Sequence, residues 1–356
     1  MKKLIQQSCT LLTFLLFMWH GSTVIAQCNH PDDYTALRAL YLATDGDNWT
    51  INTGWPTRAQ FLANPTPPVG TDMSGWYGIT CENDRVICLD MDGTPDCSYT
   101  ILLNSNNLTG EIPDEIEKLS YIKYINLNFN KLTGEIPVSL AKLTYLQSLI
   151  ISNNLLHGII PNELGSLNNL KILDFGYNKL SGFIPFQLGM LNNLTTFNLI
   201  SNQLTGVIPK ELANLTKLQY FDLSENQLTG SIPLELGLFN NLYTLNLQSN
   251  QLTGGIPKGL GNLSKLLSLD LSDNQLTGSI PLELGFLDNL SALSLQSNQL
   301  IGEIPTELGN LNNLQNLLLS ENQLSGNIPK EIGKLNKLKY LWLNSNQLSG
   351  SIPKEL

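Results

Sequence analysis

The segment Leu218–Asn241, LQYFDLSENQLTGSIPLELGLFNN, is one unit of a repeat that fills most of this 356-residue chain. An asparagine recurs every 24 residues, and each is followed by Gly four residues later and by an Ile-Pro pair six and seven residues later. A fixed period of this length indicates a solenoid, in which each unit forms one coil and neighbouring coils share a core. The eleven asparagines are Asn106, Asn130, Asn154, Asn178, Asn202, Asn226, Asn250, Asn274, Asn298, Asn322 and Asn346.

Each repeated residue type has a structural role in this unit. Phe221 and Leu223 are apolar and separated by one residue, which predicts a short strand, and stacked coils would pair such strands about 4.8 Å apart in a parallel sheet. Asn226 lies in an inward-facing column, where an unpaired amide would cost about 1–3 kcal/mol. We therefore expect the asparagines to bond backbone groups where each strand turns, forming a ladder. Gly230 suits a positive φ, and Pro233 holds the preceding residue extended.

The pattern LxxLxxLxLxxNxLTGxIPxxLxx resembles the plant-type leucine-rich repeat, over residues 98–356 and as eleven repeats of which the last is incomplete. The resemblance implies an α/β solenoid, a right-handed superhelix with a concave parallel β-sheet. It also implies mostly short turns or 3₁₀ segments on the convex side and a second small sheet near the LTG segment. Members of this family are extracellular recognition modules, including receptor ectodomains and secreted inhibitor proteins.

Residues 1–26 have the order of a secretory signal peptide. Lys2 and Lys3 precede the apolar run Leu11–Trp19, and Val24–Ala26 offers small residues for cleavage. A membrane anchor is disfavoured because the run is short, and no apolar stretch of about 20 residues exists elsewhere. Lipidation at Cys28 is disfavoured by the preceding Gln27. We therefore expect a secreted, extracellular or cell-surface protein.

Residues 27–97 resemble the N-terminal cap of such proteins, a helix plus a β-hairpin with disulfides. The stretches GDNWT, GWYGITC and RVICLDM carry this resemblance, and three tryptophans are large enough to cover the end of the first coil. A ligand clamp built from Trp49, Trp55 and Trp76 is the alternative interpretation.

An even number of cysteines in an exported chain indicates disulfides, with three connectivities open for four residues. The cysteines that remain after signal removal are Cys28, Cys81, Cys88 and Cys97. Residues 92–102 look like an insertion before the first regular repeat, and Cys88 and Cys97 flank them. That position favours a Cys88–Cys97 bond and, with it, a Cys28–Cys81 bond.

Composition argues against nucleic-acid binding and catalysis. The chain has a net charge of −10, and charged residues make up 14% of it, against roughly 25% in an average soluble protein. Without a basic run, binding through phosphate neutralisation is excluded. Beyond the signal, His30 and His157 are the only histidines and have no zinc-ligand spacing, and the chain has neither a GxSxG motif nor a phosphate loop. We expect no enzyme activity, no cofactor and no metal.

The concave positions, defined as the residues six, four, two and one before each ladder asparagine, are free to vary and should carry the binding site. Outward aromatic and aliphatic side chains on such a face are the usual anchors of an interface. They concentrate near the N-terminus and return at the last coil, with a polar middle between. The predicted ligand-binding residues are Leu102, Tyr124, Asn126, Phe129, Ile150, Ile172, Asp174, Tyr177, Ile200, Tyr340 and Trp342. The predicted partner is a protein, a peptide or a glycan.

Two other functions remain open. The last coil would run to 361 but the sequence stops at Leu356, which is compatible with a truncated receptor or adhesin ectodomain, or with self-association through an uncapped C-terminal end. A structural or ice-binding role would use the threonine three residues after each asparagine, as at Thr205, Thr229, Thr253 and Thr277. His157 and Ile301 interrupt that column.

Overall fold

The computed structural model describes residues 28–90 and 106–356, which form a right-handed solenoid of stacked coils. The predicted signal peptide, the predicted insertion 92–102, Cys97 and Leu102 lie outside the described residues. In the remaining chain each 24-residue unit makes one coil: a three-residue strand, a sharp turn, a second short strand and a 3₁₀ turn.

The concave face is one sheet in which strands pair with a register of one repeat, so that Tyr220 lies opposite Thr244 and Asp222 opposite Asn246. It begins with an antiparallel hairpin from the cap, whose second strand pairs in parallel with the first coil strand. Among the described residues its strands are Ile79–Glu82, Arg85–Asp90, Tyr124–Asn126, Ser148–Ile150, Ile172–Asp174, Thr196–Asn198, Tyr220–Asp222, Thr244–Asn246, Ser268–Asp270, Ala292–Ser294, Asn316–Leu318 and Tyr340–Trp342.

Lateral sheets form where the chain leaves the concave face, as the family resemblance implies. Their strands are Thr109–Glu111, Lys131–Thr133, His157–Gly158, Lys179–Phe183, Gln203–Val207, Gln227–Ser231, Gln251–Gly255, Gln275–Thr277, Ile301–Gly302, Gln323–Asn327 and Gln347–Ser349. Those from His157 to Thr277 make a continuous six-stranded parallel sheet. The convex side consists of five-residue 3₁₀ turns, such as Leu234–Leu238, each starting directly after the proline of the repeat.

The asparagine ladder has the predicted role. The Asn226 side-chain amide donates to the carbonyls of Leu223 and Ser224 in its own coil and to Leu199 O in the preceding coil. Its Oδ1 accepts from Leu204 N, also in the preceding coil. Each buried amide therefore closes the turn of one strand and fastens that coil to its neighbour.

The convex side has a second ladder, which the sequence analysis missed. Asn241 Nδ2 donates to Thr216 O of the coil before it, and its Oδ1 accepts from Lys265 Nζ of the coil after it at 2.7 Å. The convex turns also approach closely, because a Cβ placed on Gly261 would lie 2.3 Å from the Glu283 carbonyl oxygen. Glycine permits this narrow spacing and so lets successive 3₁₀ turns stack closely.

The cap covers the first coil with two helices, Pro31–Ala43 and Arg58–Ala63, and an aromatic core. Trp49, Trp55 and Trp76 are all buried, and Tyr41 stacks on Trp55 with ring centroids 5.6 Å apart. The interpretation of the tryptophans as a ligand clamp is therefore wrong. These rings pack against each other to fill the cap interior, which leaves no face open to a ligand.

A buried ion pair within the cap involves Arg85, which also contacts the first repeats. The Asp33 carboxylate is fully buried and accepts from Arg85 Nε at 3.0 Å, from Arg85 Nη2 at 2.7 Å and from Val86 N at 2.8 Å. The Arg85 guanidinium lies over the Tyr121 ring at 4.4 Å, and Tyr121 stacks on Tyr145 of the next coil. Helix, hairpin and the first two described coil turns are thus connected through one arginine.

A disulfide links Cys28 to Cys81, with Cα atoms 5.8 Å apart. Cys88 is also disulfide-bonded, and its predicted partner Cys97 lies outside the described residues. The Cys28–Cys81 bond ties the start of the described chain to the first strand of the cap hairpin.

Candidate ligand-binding surface

The predicted concave residues lie on the outer face of the concave sheet, since strand residues alternate between core and surface. Ile125 is buried between Tyr124 and Asn126, and Leu173 is buried between Ile172 and Asp174. Leu102 lies outside the described residues. The other predicted residues form two groups: Tyr124, Asn126, Phe129, Ile150, Ile172, Asp174, Tyr177 and Ile200 on neighbouring coils, and Tyr340 and Trp342 on the last coil.

Tyr177 is the most accessible residue of the N-terminal group, with 47% of its surface exposed. Its φ is 54°, in the left-handed region, as is that of the residue before every ladder asparagine in the described coils. Most coils place Ser, Asn, Asp or Glu there, whereas Phe129 and Tyr177 are aromatic. A bulky residue is uncommon in this conformation, and here the conformation projects the Tyr177 ring outward from the sheet.

The aliphatic members of the group are half-buried. Ile150, Ile172 and Ile200 each retain partial exposure. Gly176 has no side chain, and Ile200 leans into the space beside it, since a Cβ on Gly176 would lie 2.7 Å from Ile200 Cγ2. Strands only about 4.8 Å apart let neighbouring side chains cover each other. The three isoleucines therefore form an apolar surface beside Tyr177 that projects only a little from the sheet.

An alternating Asp–Asn column runs along the C-terminal ends of the concave strands, and its hydrogen bonding was not predicted from the sequence. Asp174 accepts from Gly176 N and from Asn198 Nδ2, the latter at 2.9 Å. Two coils further on, Asp222 accepts from Asn246 Nδ2 at 3.1 Å. Each asparagine amide therefore bridges to the carboxylate of the coil before it. In the sequence this column is visible as Asp and Asn alternating every 24 residues from Asp174 to Asp270.

The polar middle of the concave face is less accessible than predicted. Asp222 is buried, and besides Asn246 its carboxylate accepts from the Tyr220 hydroxyl at 2.8 Å and from the Ser224 hydroxyl at 2.6 Å. Ser272 is buried in the same way beside Asp270. These side chains satisfy one another, so they contribute to the stability and charge of the face more than to direct ligand contact.

Burial sets the proton affinity of this column. It raises the pKa of Asp174 to about 6, against the opposing effect of the hydrogen bonds from Gly176 and Ser152. Burial likewise raises the pKa of the Asp222 carboxyl and that of Asp270. The concave face therefore gains negative charge as the pH rises through the mildly acidic range.

We expect Asp174→Asn to stabilise the protein at pH 7 but not at pH 4. The pKa of Asp174 in the folded state, about 6, exceeds its ordinary value of 3.8, so the native state binds more protons between these values. The stabilisation that protonated Asp174 gives the folded state is fully present below pH 3.8 and is lost as the pH rises through 6. The neutral amide avoids this loss, worth up to about 3 kcal/mol. Urea unfolding at pH 7 and at pH 4 measures the difference in free energy of unfolding between the variant and the wild type. Asp273→Asn, which changes an exposed aspartate, is the control. An equal gain at pH 4 would contradict the account.

The concave positions carry charge of one sign only. From Tyr124 to Ser345 they include no Lys, Arg or His. The acidic side chains there are Asp174, Asp222, Glu225, Asp270, Asp273 and Glu321. The lysines of the repeats lie on the edges and on the convex side, as Lys265 does. A ligand on this face therefore meets a neutral to acidic surface.

The second group, at the last coil, is exposed. Tyr340 and Trp342 retain about half of their surface, whereas Leu318 of the preceding strand is buried. The two aromatic residues lie opposite Asn316 and Leu318 in the sheet. They are separated from Tyr177 by six coils, so the structure does not bring the two predicted groups together.

The repeat assignment agrees with known family models. Leucine-rich repeat models match residues 99–119, 121–143, 145–167, 169–191, 193–215, 217–239, 240–300, 313–335 and 337–356. This chain belongs to the leucine-rich repeat family. The solved neighbours include plant receptor ectodomains, which supports the plant-type repeat and the N-terminal cap.

Three solved structures illustrate the range of neighbours. The plant peptide hormone receptor RGFR1, solved with RGF2, is 39% identical over 70% of this chain and 44% of its own, with a TM-score of 0.66. The Arabidopsis receptor kinase HAESA, solved with the peptide hormone IDA and the co-receptor SERK1, is 31% identical over 91% and 55%, with a TM-score of 0.73. A plant ice-binding protein is 29% identical over 92% and 98%, with a TM-score of 0.71. The chain thus spans about half the length of the two receptor chains.

A search of curated proteins returns no match. In the part of the chain that the structure describes, no helix has the length and apolar character needed to cross a bilayer. Across residues 28–90 and 106–356, no group of three His, Cys, Asp or Glu side chains is placed to hold a metal ion.

Proposed function

We propose that this protein is a secreted or cell-surface recognition module that binds a peptide or a peptide segment of a protein on its concave face, without catalysis. The binding site is the N-terminal concave patch, which we define as Tyr124, Phe129, Ile150, Ile172, Tyr177 and Ile200. The observation that carries the proposal is the exposed Tyr177 ring beside the half-buried isoleucines. Receptor chains of the same fold, RGFR1 and HAESA, were solved with peptide hormones.

The chemistry of the patch favours an extended peptide over a glycan. Aromatic and aliphatic side chains supply apolar contact area, while Asn126 and Asp174, each the last residue of its strand, supply polar groups. The absence of basic side chains at the concave positions disfavours ligands that present carboxylates or phosphates. The receptor or adhesin alternative uses the same site, since an ectodomain would present the same concave face.

Selection from a random peptide library, followed by affinity measurement, tests this proposal. We expect selected peptides to bind the wild type and to lose about tenfold or more in affinity with Tyr177→Asp, because the anchor ring is removed and a carboxylate replaces it where the peptide would have to displace water. Phe286→Asp is the matched control, since Phe286 is an exposed aromatic on the convex side. Unchanged affinity in Tyr177→Asp, or an equal loss in the control, would refute the site.

A second candidate, ice binding, rests on the lateral sheet. Thr205, Thr229, Thr253 and Thr277 lie on successive strands, and the ice-binding neighbour matches almost the whole of both chains. The Thr205 and Thr229 hydroxyls donate to glycine carbonyls of the preceding coil, which fixes their orientation. Inhibition of ice recrystallisation that Thr229→Lys abolishes would support this function. Absence of inhibition in the wild type would reject it.

A further inference from the structure

The lateral sheet carries an exposed apolar strip that the concave site does not use. Ile159, Phe183 and Val207 occupy the fifth position after the ladder asparagine in three successive coils, and they are 61%, 69% and 59% exposed. Each leans over the glycine of the next coil, as Phe183 does over Gly206. Other coils place Glu, Ser, Gly or Asn at this position. The strip is therefore a local departure from a polar column.

The sheet around the strip is nearly free of charge. The outward positions of the lateral strands are the first, third and fifth residues after each ladder asparagine. On the six-stranded sheet from His157 to Thr277, these positions include one Lys and no Arg, Asp or Glu, the lysine being Lys179. Most of the other outward side chains are neutral and polar, so the apolar strip stands out, and a contiguous exposed apolar strip of this kind marks an interaction site.

Within each of three successive coils, the side chains at the first and fifth positions are of complementary types. The coil of Asn130 has Lys131 and Glu135, the next coil has Leu155 and Ile159, and the third has Lys179 and Phe183. All these side chains are exposed. Four residues of extended strand separate the two positions by about 13 Å, too far for these pairs to meet within one chain. Lys131 Nζ instead contacts Asn107 Oδ1, and within the described residues neither Glu135 nor Lys179 forms an ion pair.

We propose that this lateral face docks a second copy of the chain, about a two-fold axis that runs along the solenoid above the third-position column. Such an axis places each coil opposite the same coil of the second chain. It also places the first-position side chain of one chain against the fifth-position side chain of the other. Lys131 then meets Glu135 of the second copy, Leu155 meets its Ile159, and Lys179 meets the face of its Phe183 ring. An isologous interface requires this kind of self-complementarity, and the contacts are an ion pair, an apolar pair and a cation–π pair.

The small size of this face limits the expected strength of the dimer. Four coils of about 4.8 Å by a strand of five residues cover on the order of 300 Å² per chain. Stable interfaces bury about 800 Å² per partner, so this one is a weak, reversible contact. We expect dimers at high micromolar concentration and monomers on dilution.

Sedimentation equilibrium of the full chain with two substitutions at one residue tests the geometry. Phe183→Lys opposes Lys179 of the second copy with a like charge, whereas Phe183→Asp opposes it with an unlike charge. We expect the dissociation constant to rise by about tenfold or more with Phe183→Lys and markedly less with Phe183→Asp. Because Phe183 is exposed, both variants should fold, which circular dichroism checks. Phe286→Lys, on the convex side, should dimerise like the wild type.

A mixing experiment tests the pairing of Lys131 with Glu135. Lys131→Glu and Glu135→Lys each place like charges together twice in their own homodimers, so each alone should dimerise more weakly than the wild type. Mixed together they form a heterodimer in which both contacts are of opposite charge, so association should return. A wild type that stays monomeric at high micromolar concentration, equal effects of the two Phe183 variants, or a mixture that associates no better than its parts would each overturn the proposal.

Discussion

Asp33→Ala is expected to lower the free energy of unfolding of the cap by about 3–5 kcal/mol. The substitution removes a fully buried carboxylate that accepts three hydrogen bonds and leaves the Arg85 guanidinium, itself largely buried, without its counter-charge. Breaking a buried pair by deleting one partner costs this much because the remaining charge is uncompensated. Chemical unfolding monitored by tryptophan fluorescence measures this loss of stability, since Trp49, Trp55 and Trp76 all lie in the cap.

The neighbouring residue supplies the control. Asp32 lies in the same helical turn but is largely exposed, so Asp32→Ala changes the formal charge equally without uncovering a buried cation. Surface substitutions of this kind stay within about 0.5 kcal/mol. Similar losses in the two variants would show that net charge, and not the buried pair, stabilises the cap.

Asn226→Ala is expected to destabilise the solenoid by about 2–4 kcal/mol. The change leaves Leu204 N without its side-chain acceptor and removes the amide donor that links this turn to Leu199 O of the preceding coil. Leaving buried backbone groups unsatisfied costs about 1–3 kcal/mol each. Because coils are stabilised by their neighbours, the loss should appear as a lower urea midpoint for the repeats.

A second asparagine of the same coil serves as reference. Asn240 is exposed in the turn that follows the 3₁₀ segment, and we expect Asn240→Ala to change stability by less than about 0.5 kcal/mol. If Asn226→Ala were equally mild, the ladder would not have the role that its hydrogen bonds indicate.

The period of the sequence was sufficient to predict the role of Asn226 because a 24-residue repeat fixes which column each residue occupies. The same register predicted the apolar strand residues Phe221 and Leu223, which are buried, and the outward Tyr177. A single coil contains all the information that these positions need, since each makes the same contacts in every coil. The positive φ of the glycine four residues after each ladder asparagine was predictable for the same reason, since that glycine recurs in the same place in every coil.

Features that depend on contacts between particular coils were not predictable in this way. The half-burial of Ile200 follows from the neighbouring Gly176, and the hydrogen bonds of Asp174 follow from Asn198 one coil later. The exposure of Phe183 was not predicted, because the fifth position after the ladder asparagine lies on the lateral sheet and not among the concave positions. Both the Asp–Asn alternation and the lateral strip appear in the sequence only when one column is compared across coils.

The concave site is tested most directly by mapping where a bound peptide lies. A selected peptide carrying a photoreactive residue is crosslinked to the wild-type protein, and the modified residues are identified by mass spectrometry. We predict crosslinks on the concave face of the coils from Tyr124 to Asp222, with Tyr177 or Ile200 among them. Crosslinks confined to the lateral sheet around Phe183 or to convex residues such as Phe286 would contradict the account.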